Sequence, residues 1–139
     1  MIDDVVLNKS QIIRRCIKRI NQEYADNPEN LYNYTKQDSI ILNLQRACEA
    51  SIDLAMHLIA ENNLGLPQSS RQAFELLFQN GIIGKNVTER LKAMVGFRNI
   101  AVHDYQTLNL TILQKIIELH LNDFLDFVGI INKYVNADV

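Results

Sequence analysis

The chain has 139 residues, a length that fits one domain with its own hydrophobic core. A formal net charge of −2 and a pI near 5.9 argue against a general nucleic-acid binder, so any RNA site has to be local. With 5 glycines and 2 prolines the chain has few turn residues, which disfavours an all-β fold. We expect a single domain over residues 1–139.

The two cysteines, Cys16 and Cys48, lie in apolar-periodic segments without a Cys or His partner at metal-ligand spacing. We therefore expect buried, reduced thiols, no metal and no cofactor. The acidic N-terminal segment lacks the basic-then-apolar order of a signal peptide, and no apolar run approaches the ~20 residues that span a membrane. These features predict a cytoplasmic protein without a membrane partner.

The first predicted helix runs from about Asp4 to Asn27, because apolar residues recur at helical spacing until Pro28. Its opposite face is basic, and this face either guides RNA or is an ordinary solvated helix face. The basic residues are Arg14, Arg15, Lys18 and Arg19.

A second long helix is predicted from about Lys36 to Asn62, with Thr35 and Asp38 as a capping box. Gly65 is expected to help terminate it.

Three further helices are predicted in the second half of the chain. Ser69 and Gln72 form a capping box for a short helix that ends at Gly81. Asn86 is expected to cap the next helix, which runs to about Val102. The last helix is predicted from about 109 to 135.

The predicted fold class is therefore all-α, an up-and-down bundle of four to five helices joined by short loops. The apolar faces are wide for so small a protein, and they contain isoleucine pairs such as 12–13, 40–41 and 116–117. This excess apolar width favours a homodimer.

The stretch GFRNIAVHDY, residues 96–105, combines Arg98, Asn99, His103 and Tyr105. Asn99 and His103 are four residues apart and share a helix face, and the Arg98 side chain is long enough to reach beside the imidazole. A guanidinium matches phosphate oxygens, and an imidazole transfers protons near neutral pH. The set suits metal-free cleavage of an RNA phosphodiester, with Arg98 stabilising the phosphorane.

The same pattern also has a structural interpretation. Arg98 can pair with an acid such as Asp104 or Glu89, and His103 can cap the end of the helix. A lone arginine and histidine at this spacing is more often structural than catalytic, so the spacing leaves both readings open. Lys85, ahead of the motif, is a further candidate for a phosphate contact.

The string MVGFRNIAVHDY, residues 94–105, resembles the HEPN superfamily, in which an arginine and a polar residue precede a histidine. It is most similar to HepT-type toxins, with a tyrosine two residues after the histidine. The resemblance implies a homodimeric, metal-independent endoribonuclease that cleaves mRNA or tRNA, with Arg98, Asn99 and His103 as catalytic residues. It also implies a type VII toxin–antitoxin system, in which an MntA-type minimal nucleotidyltransferase antitoxin transfers AMP to Tyr105.

Two other functions are compatible with the sequence. One is a non-catalytic helical subunit that binds nucleotide for a two-component nucleotidyltransferase, and the other is a helical dimerisation module. His57 is expected to be a partly buried structural residue, and His120 a core histidine because it lies on the apolar stripe of the last helix. The three histidines do not have the spacing of a zinc site.

Overall fold

The computed structural model describes residues 3–103 and 109–137, with the backbone alone at 102 and 103. Within these ranges it is all-helical, which confirms the predicted fold class. The described residues form six α-helices: α1 (Asp4–Tyr24), α2 (Tyr34–Glu61), α3 (Ser70–Gln79), α4 (Lys85–His103), α5 (Leu110–Lys115) and α6 (Leu121–Asn136). A 3-10 turn (Pro28–Tyr32) precedes α2, and a π-helical turn (Ile116–His120) joins α5 directly to α6. The predicted last helix is thus one helical segment with a π turn inside it.

Helix α2 is the centre of the bundle, since it packs against α1, α3, α4 and α6. It contributes fully buried side chains along its whole length, among them Ile40, Leu44, Leu54 and Leu58. Phe74 of α3 and Phe127 of α6 meet edge to face, with ring centroids 5.7 Å apart. None of the described helices is long and apolar enough to cross a membrane.

The start of α1 is tied to α2 by a polar contact. Asp3 caps α1 by accepting from the backbone N–H groups of Val5 and Val6. Its other carboxylate oxygen lies 2.8 Å from His57 Nε2 on α2. Burial alone would raise the pKa of Asp3, but the hydrogen bonds to His57 and to the backbone lower it below its ordinary value. His57 is half-buried and structural, as predicted.

Helix α1 ends three residues earlier than predicted. Ala25 and Asp26 both adopt left-handed backbone conformations, with φ of 51° and 55°, which breaks the helix after Tyr24. Asn27 instead caps the 3-10 turn by accepting from Glu29 N–H.

Two predicted caps are wrong and one is confirmed in part. Asn33 caps α2, so Thr35 lies inside the first turn. Likewise, α4 already starts at Lys85, so Asn86 is not its cap. Ser69 does cap α3 and accepts from Gln72 N–H at 3.1 Å. The Gln72 side chain, however, accepts from Gln68 N–H instead of completing the box with Ser69.

The π-helical turn is held against α1 by a buried phenol. Tyr24 is 2% exposed, and its hydroxyl donates to a carboxylate oxygen of Glu118. Burial is the main cause, and the hydrogen bond to Glu118 the next, of a Tyr24 pKa raised to about 12. Because a raised pKa means that the fold favours the protonated phenol, this contact stabilises the protein below pH ~10 and is lost as the pH rises towards 12.

In a phenolate absorbance titration, we expect Tyr24→Phe to remove the ionisation step at the highest pH. The variant should also lower the free energy of unfolding by about 1 kcal/mol at neutral pH. The difference in stability between wild type and variant should shrink between pH ~10 and ~12. Urea unfolding at several pH values measures it. A difference that stays constant over this range would contradict the assigned contact.

Candidate functional site

The second half of α4 carries the motif of residues 98–103, and one side of this half is buried against neighbouring helices. Met94, Val95, Phe97 and Ala101 are all at most 7% exposed. Arg98 lies four residues after Met94 and three before Ala101, so its side chain leaves α4 on this packed side. An arginine that leaves a helix on its packed face has to be accommodated by neighbouring helices.

Arg98 is half-buried between α2 and α3. Its Nη2 donates to Ser70 Oγ, on the first turn of α3, at 3.4 Å. Its Nε is buried and has no hydrogen-bond partner among the described atoms. On the α2 side lies the Cys48 thiol. Burial raises the pKa of Cys48 to about 12, and the Arg98 charge only partly opposes that rise.

Arg98 has no carboxylate within ion-pair distance in residues 3–101 and 109–137. Glu89, a predicted structural partner, approaches Lys92 Nζ at 3.8 Å instead. Asp104, the other candidate, lies outside the described residues. The described surroundings therefore offer the guanidinium a hydroxyl but no neutralising charge, and such a group is suited to binding an anion.

Asn99 is exposed, and position 103 is the last residue of α4. Their spacing of four residues along a continuous helix places them on one face, as predicted. The His103 side chain and Tyr105 lie outside the described residues. Lys92 and Gly96 share this face by the same register.

Sequence reasoning missed two residues of this region, Ser70 and Arg71. Ser70 holds Arg98, and Arg71 Nε donates to the Lys92 carbonyl oxygen at 3.3 Å. No local pattern could have found them, because each contact joins residues more than 20 positions apart in different helices.

A largely apolar cavity of about 440 Å³ lies next to the motif, between α4 and the segment formed by α5 and the π turn. Ile100 and Ile112 line it and are 47% and 53% exposed. At its edge the carboxylate of Asp123, only 3% exposed, lies 3.2 Å both from Arg90 Nη1 and from His120 Nδ1. His120 is therefore half-exposed at a cavity and paired with an acid, and its predicted place in the core is wrong.

The other predicted RNA-binding residues are distant from Arg98 along α4 or line other cavities of the surface. Arg14 and Lys18 line a surface groove with Leu125 of α6, and Arg15 lines a cavity against α2. Arg19 lies 3.5 Å from Glu23. Lys85 begins α4, 13 residues before Arg98, which corresponds to about 20 Å along the helix. Their role in RNA binding stays a prediction.

Both cysteines are free and buried, as expected, and burial raises the pKa of each thiol. The described residues contain no group of three or more side chains arranged to hold a metal ion.

Comparison with known proteins identifies the family. Residues 9–131 match the family described as ribonuclease HepT-like. The mRNA nuclease HepT of Shewanella oneidensis is 52% identical over 130 residues, which cover 94% of this chain and 98% of the relative. The chain belongs to the HepT-like ribonuclease family.

Solved structures of HepT-like proteins agree with the fold. The tri-AMPylated Shewanella oneidensis HEPN toxin in complex with an MNT antitoxin is 51% identical and superposes with a TM-score of 0.90, over 94% of this chain and 98% of the toxin. A MntA–HpeT toxin–antitoxin structure with a tyrosine-to-alanine substitution is 50% identical with a TM-score of 0.87, over 92% and 98% of the two chains. The prediction of a HepT-type ribonuclease from the motif is thus confirmed.

Proposed function

We propose that this chain is the toxin of a type VII toxin–antitoxin pair, a metal-independent endoribonuclease that cleaves mRNA or tRNA in the cytoplasm. Residues 1–139 act as one domain. The observation that carries this proposal is the Arg98 guanidinium, half-buried on the motif helix with a serine hydroxyl, but no carboxylate, among its described neighbours. The similarity to a named mRNA nuclease supports the substrate class.

The chemistry follows from the residue types. An imidazole acts as base and takes the proton of a ribose 2′-hydroxyl, whose oxygen attacks the adjacent phosphorus. A second group acts as acid and donates a proton to the leaving 5′-oxygen. Arg98 pairs with the non-bridging oxygens and stabilises the charge that grows on the phosphorane. His103 is the proton-transfer group, and Asn99 orients the phosphate or the imidazole.

A homodimer supplies the second imidazole. The apolar cavity beside α4 and the half-exposed Ile100 and Ile112 form an apolar surface next to the motif. Such surfaces on small soluble domains commonly mark protein contacts, and a two-fold contact through this one brings the two motif helices together. One His103 then serves as base and the other as acid.

The antitoxin acts on Tyr105, two residues after His103. The phenol oxygen loses its proton and attacks the α-phosphorus of ATP, which releases pyrophosphate and leaves AMP on the tyrosine. The bound AMP would put a phosphate beside Arg98 and an adenosine in the cleft. The modification neutralises the cation and repels RNA. The tri-AMPylated relative in complex with an MNT antitoxin supports this regulation.

We expect purified, unmodified protein to cleave RNA in EDTA. Arg98→Ala should lower the rate constant about 10²- to 10³-fold, since it removes a charge that stabilises the transition state. His103→Ala should lower it about 10²- to 10⁴-fold. Single-turnover cleavage measures both, and Arg46→Ala, an exposed arginine on α2, is the control.

If wild type and the three variants are equally inactive while mass spectrometry shows Tyr105 unmodified, the proposed ribonuclease function is contradicted. This outcome would favour the nucleotide-binding subunit.

We expect Ile112→Glu to sediment as a monomer and to lose cleavage, because a carboxylate cannot be buried in an apolar interface without a partner. Leu66→Glu is the matched control, since Leu66 is 86% exposed in the loop before α3. If Ile112→Glu stays dimeric at micromolar concentration, the proposed dimer surface is wrong.

Incubation with the cognate antitoxin and ATP should add AMP to wild type and abolish RNA cleavage. Tyr105→Phe should gain no mass and stay active, because its ring has no hydroxyl to accept AMP. Tyr134→Phe, which alters a partly exposed tyrosine on α6, should be modified like wild type. Intact-mass spectrometry decides, and AMP on Tyr105→Phe would show that another residue is the acceptor.

A further inference from the structure

The first turn of α3 brings a second arginine to the motif helix. Arg71 Nε donates to the carbonyl oxygen of Lys92 at 3.3 Å. Its guanidinium lies over Gly96, where an added Cβ would stand 2.8 Å from Arg71 Nη2. Glycine at position 96 therefore leaves the space that the Arg71 guanidinium occupies.

Arg71 has no carboxylate partner in the part of the chain that the structure describes. Glu75 of α3 and Glu89 of α4 both approach Lys92 Nζ, at 3.2 and 3.8 Å. Arg71 itself is exposed, and its described hydrogen bond uses only Nε. The two terminal nitrogens of the guanidinium therefore receive no neutralising charge from the described residues of these helices.

Arg71 lies against the face of α4 that carries Asn99 and position 103. Lys92, Gly96, Asn99 and position 103 are spaced four, three and four residues apart, so they share one side of the helix. Gly96 precedes position 103 by seven residues, or about 10.5 Å along the axis. Arg98 reaches the same turn of α3 from another side, through Ser70. One turn of α3 thus holds two guanidinium groups beside the motif.

We propose that Arg71 binds an RNA phosphate that neighbours the scissile one. This rests on the proposed ribonuclease function and adds a substrate-binding residue to it. The arginine fork matches phosphate oxygens in geometry and charge. Because Arg71 lies about two helical turns from position 103, it binds and positions the RNA strand and takes no part in the proton transfers. Its effect belongs in KM and not in kcat.

Binding of a 2′-O-methyl RNA oligonucleotide, which cannot be cleaved through its 2′-oxygen, tests this without turnover. Fluorescence anisotropy at several salt concentrations gives Kd and its salt dependence. We expect Arg71→Ala to raise Kd roughly tenfold, the loss of one charge-assisted contact. The slope of log Kd against log salt should fall by about 0.7, the value for one phosphate contact on a single strand. Arg46→Ala is the control and should change neither quantity.

A second variant separates the position of the guanidinium from its charge. Gly96→Ala keeps Arg71 but places a methyl group 2.8 Å from its Nη2, so the flexible side chain has to move. We expect a smaller rise in Kd than for Arg71→Ala. In an Arg71→Ala background, Gly96→Ala should have no further effect, since the two changes act on one contact.

The outcomes are distinguishable. If folded Arg71→Ala keeps the wild-type Kd and salt slope, Arg71 is not a phosphate ligand, and loss of cleavage in Arg98→Ala would still support the ribonuclease. If wild type neither binds this oligonucleotide nor cleaves its 2′-hydroxyl counterpart, both the site and the ribonuclease are overturned.

Discussion

The packing of α4 against α2 and α3 determines where the Arg98 guanidinium lies, and the rest of the site depends on this placement. Arg98 leaves α4 on the side that carries buried Met94 and Ala101, and it is held there by Ser70. A charge in such a place is partly removed from water, so its attraction to an anion is stronger than at an open surface. The bundle therefore supplies a fixed cation at the end of the motif helix.

The neighbouring charges are arranged so that this cation is not neutralised by the described residues. Lys92 forms ion pairs with the carboxylates of Glu75 and Glu89. At the edge of the cavity, Arg90 and His120 share Asp123. Since Glu75, Glu89 and Asp123 already have basic partners, a local site for RNA is compatible with a net charge of −2 for the whole chain. Electrostatic attraction to RNA comes from the arrangement of a few groups and not from composition.

Local sequence signals predicted the helices and the motif, because periodicity, caps and spacing act over a few residues. They were least reliable where two signals compete over a short distance, as at the start of α2, where Asn33 and not Thr35 is the cap. They gave no access to contacts between distant segments. Ser70 and Arg71 reach α4 only through the packing of α3. His120 was misplaced because it ends a π turn, where the α-helical register used to predict its burial does not hold. The roles of His103 and Tyr105 remain predictions from the motif.

In the proposed mechanism, the 2′-hydroxyl of the substrate attacks the phosphorus at the Arg98 site without a metal. An RNA oligonucleotide with a single 2′-deoxy residue at its mapped cleavage position, incubated with unmodified protein in EDTA, tests it most directly. This mechanism predicts that the parent RNA yields 2′,3′-cyclic phosphate and 5′-hydroxyl ends, and that the 2′-deoxy substrate is not cut at that position. Cleavage of the 2′-deoxy position at the parent rate, or products with 5′-phosphate ends, would contradict it.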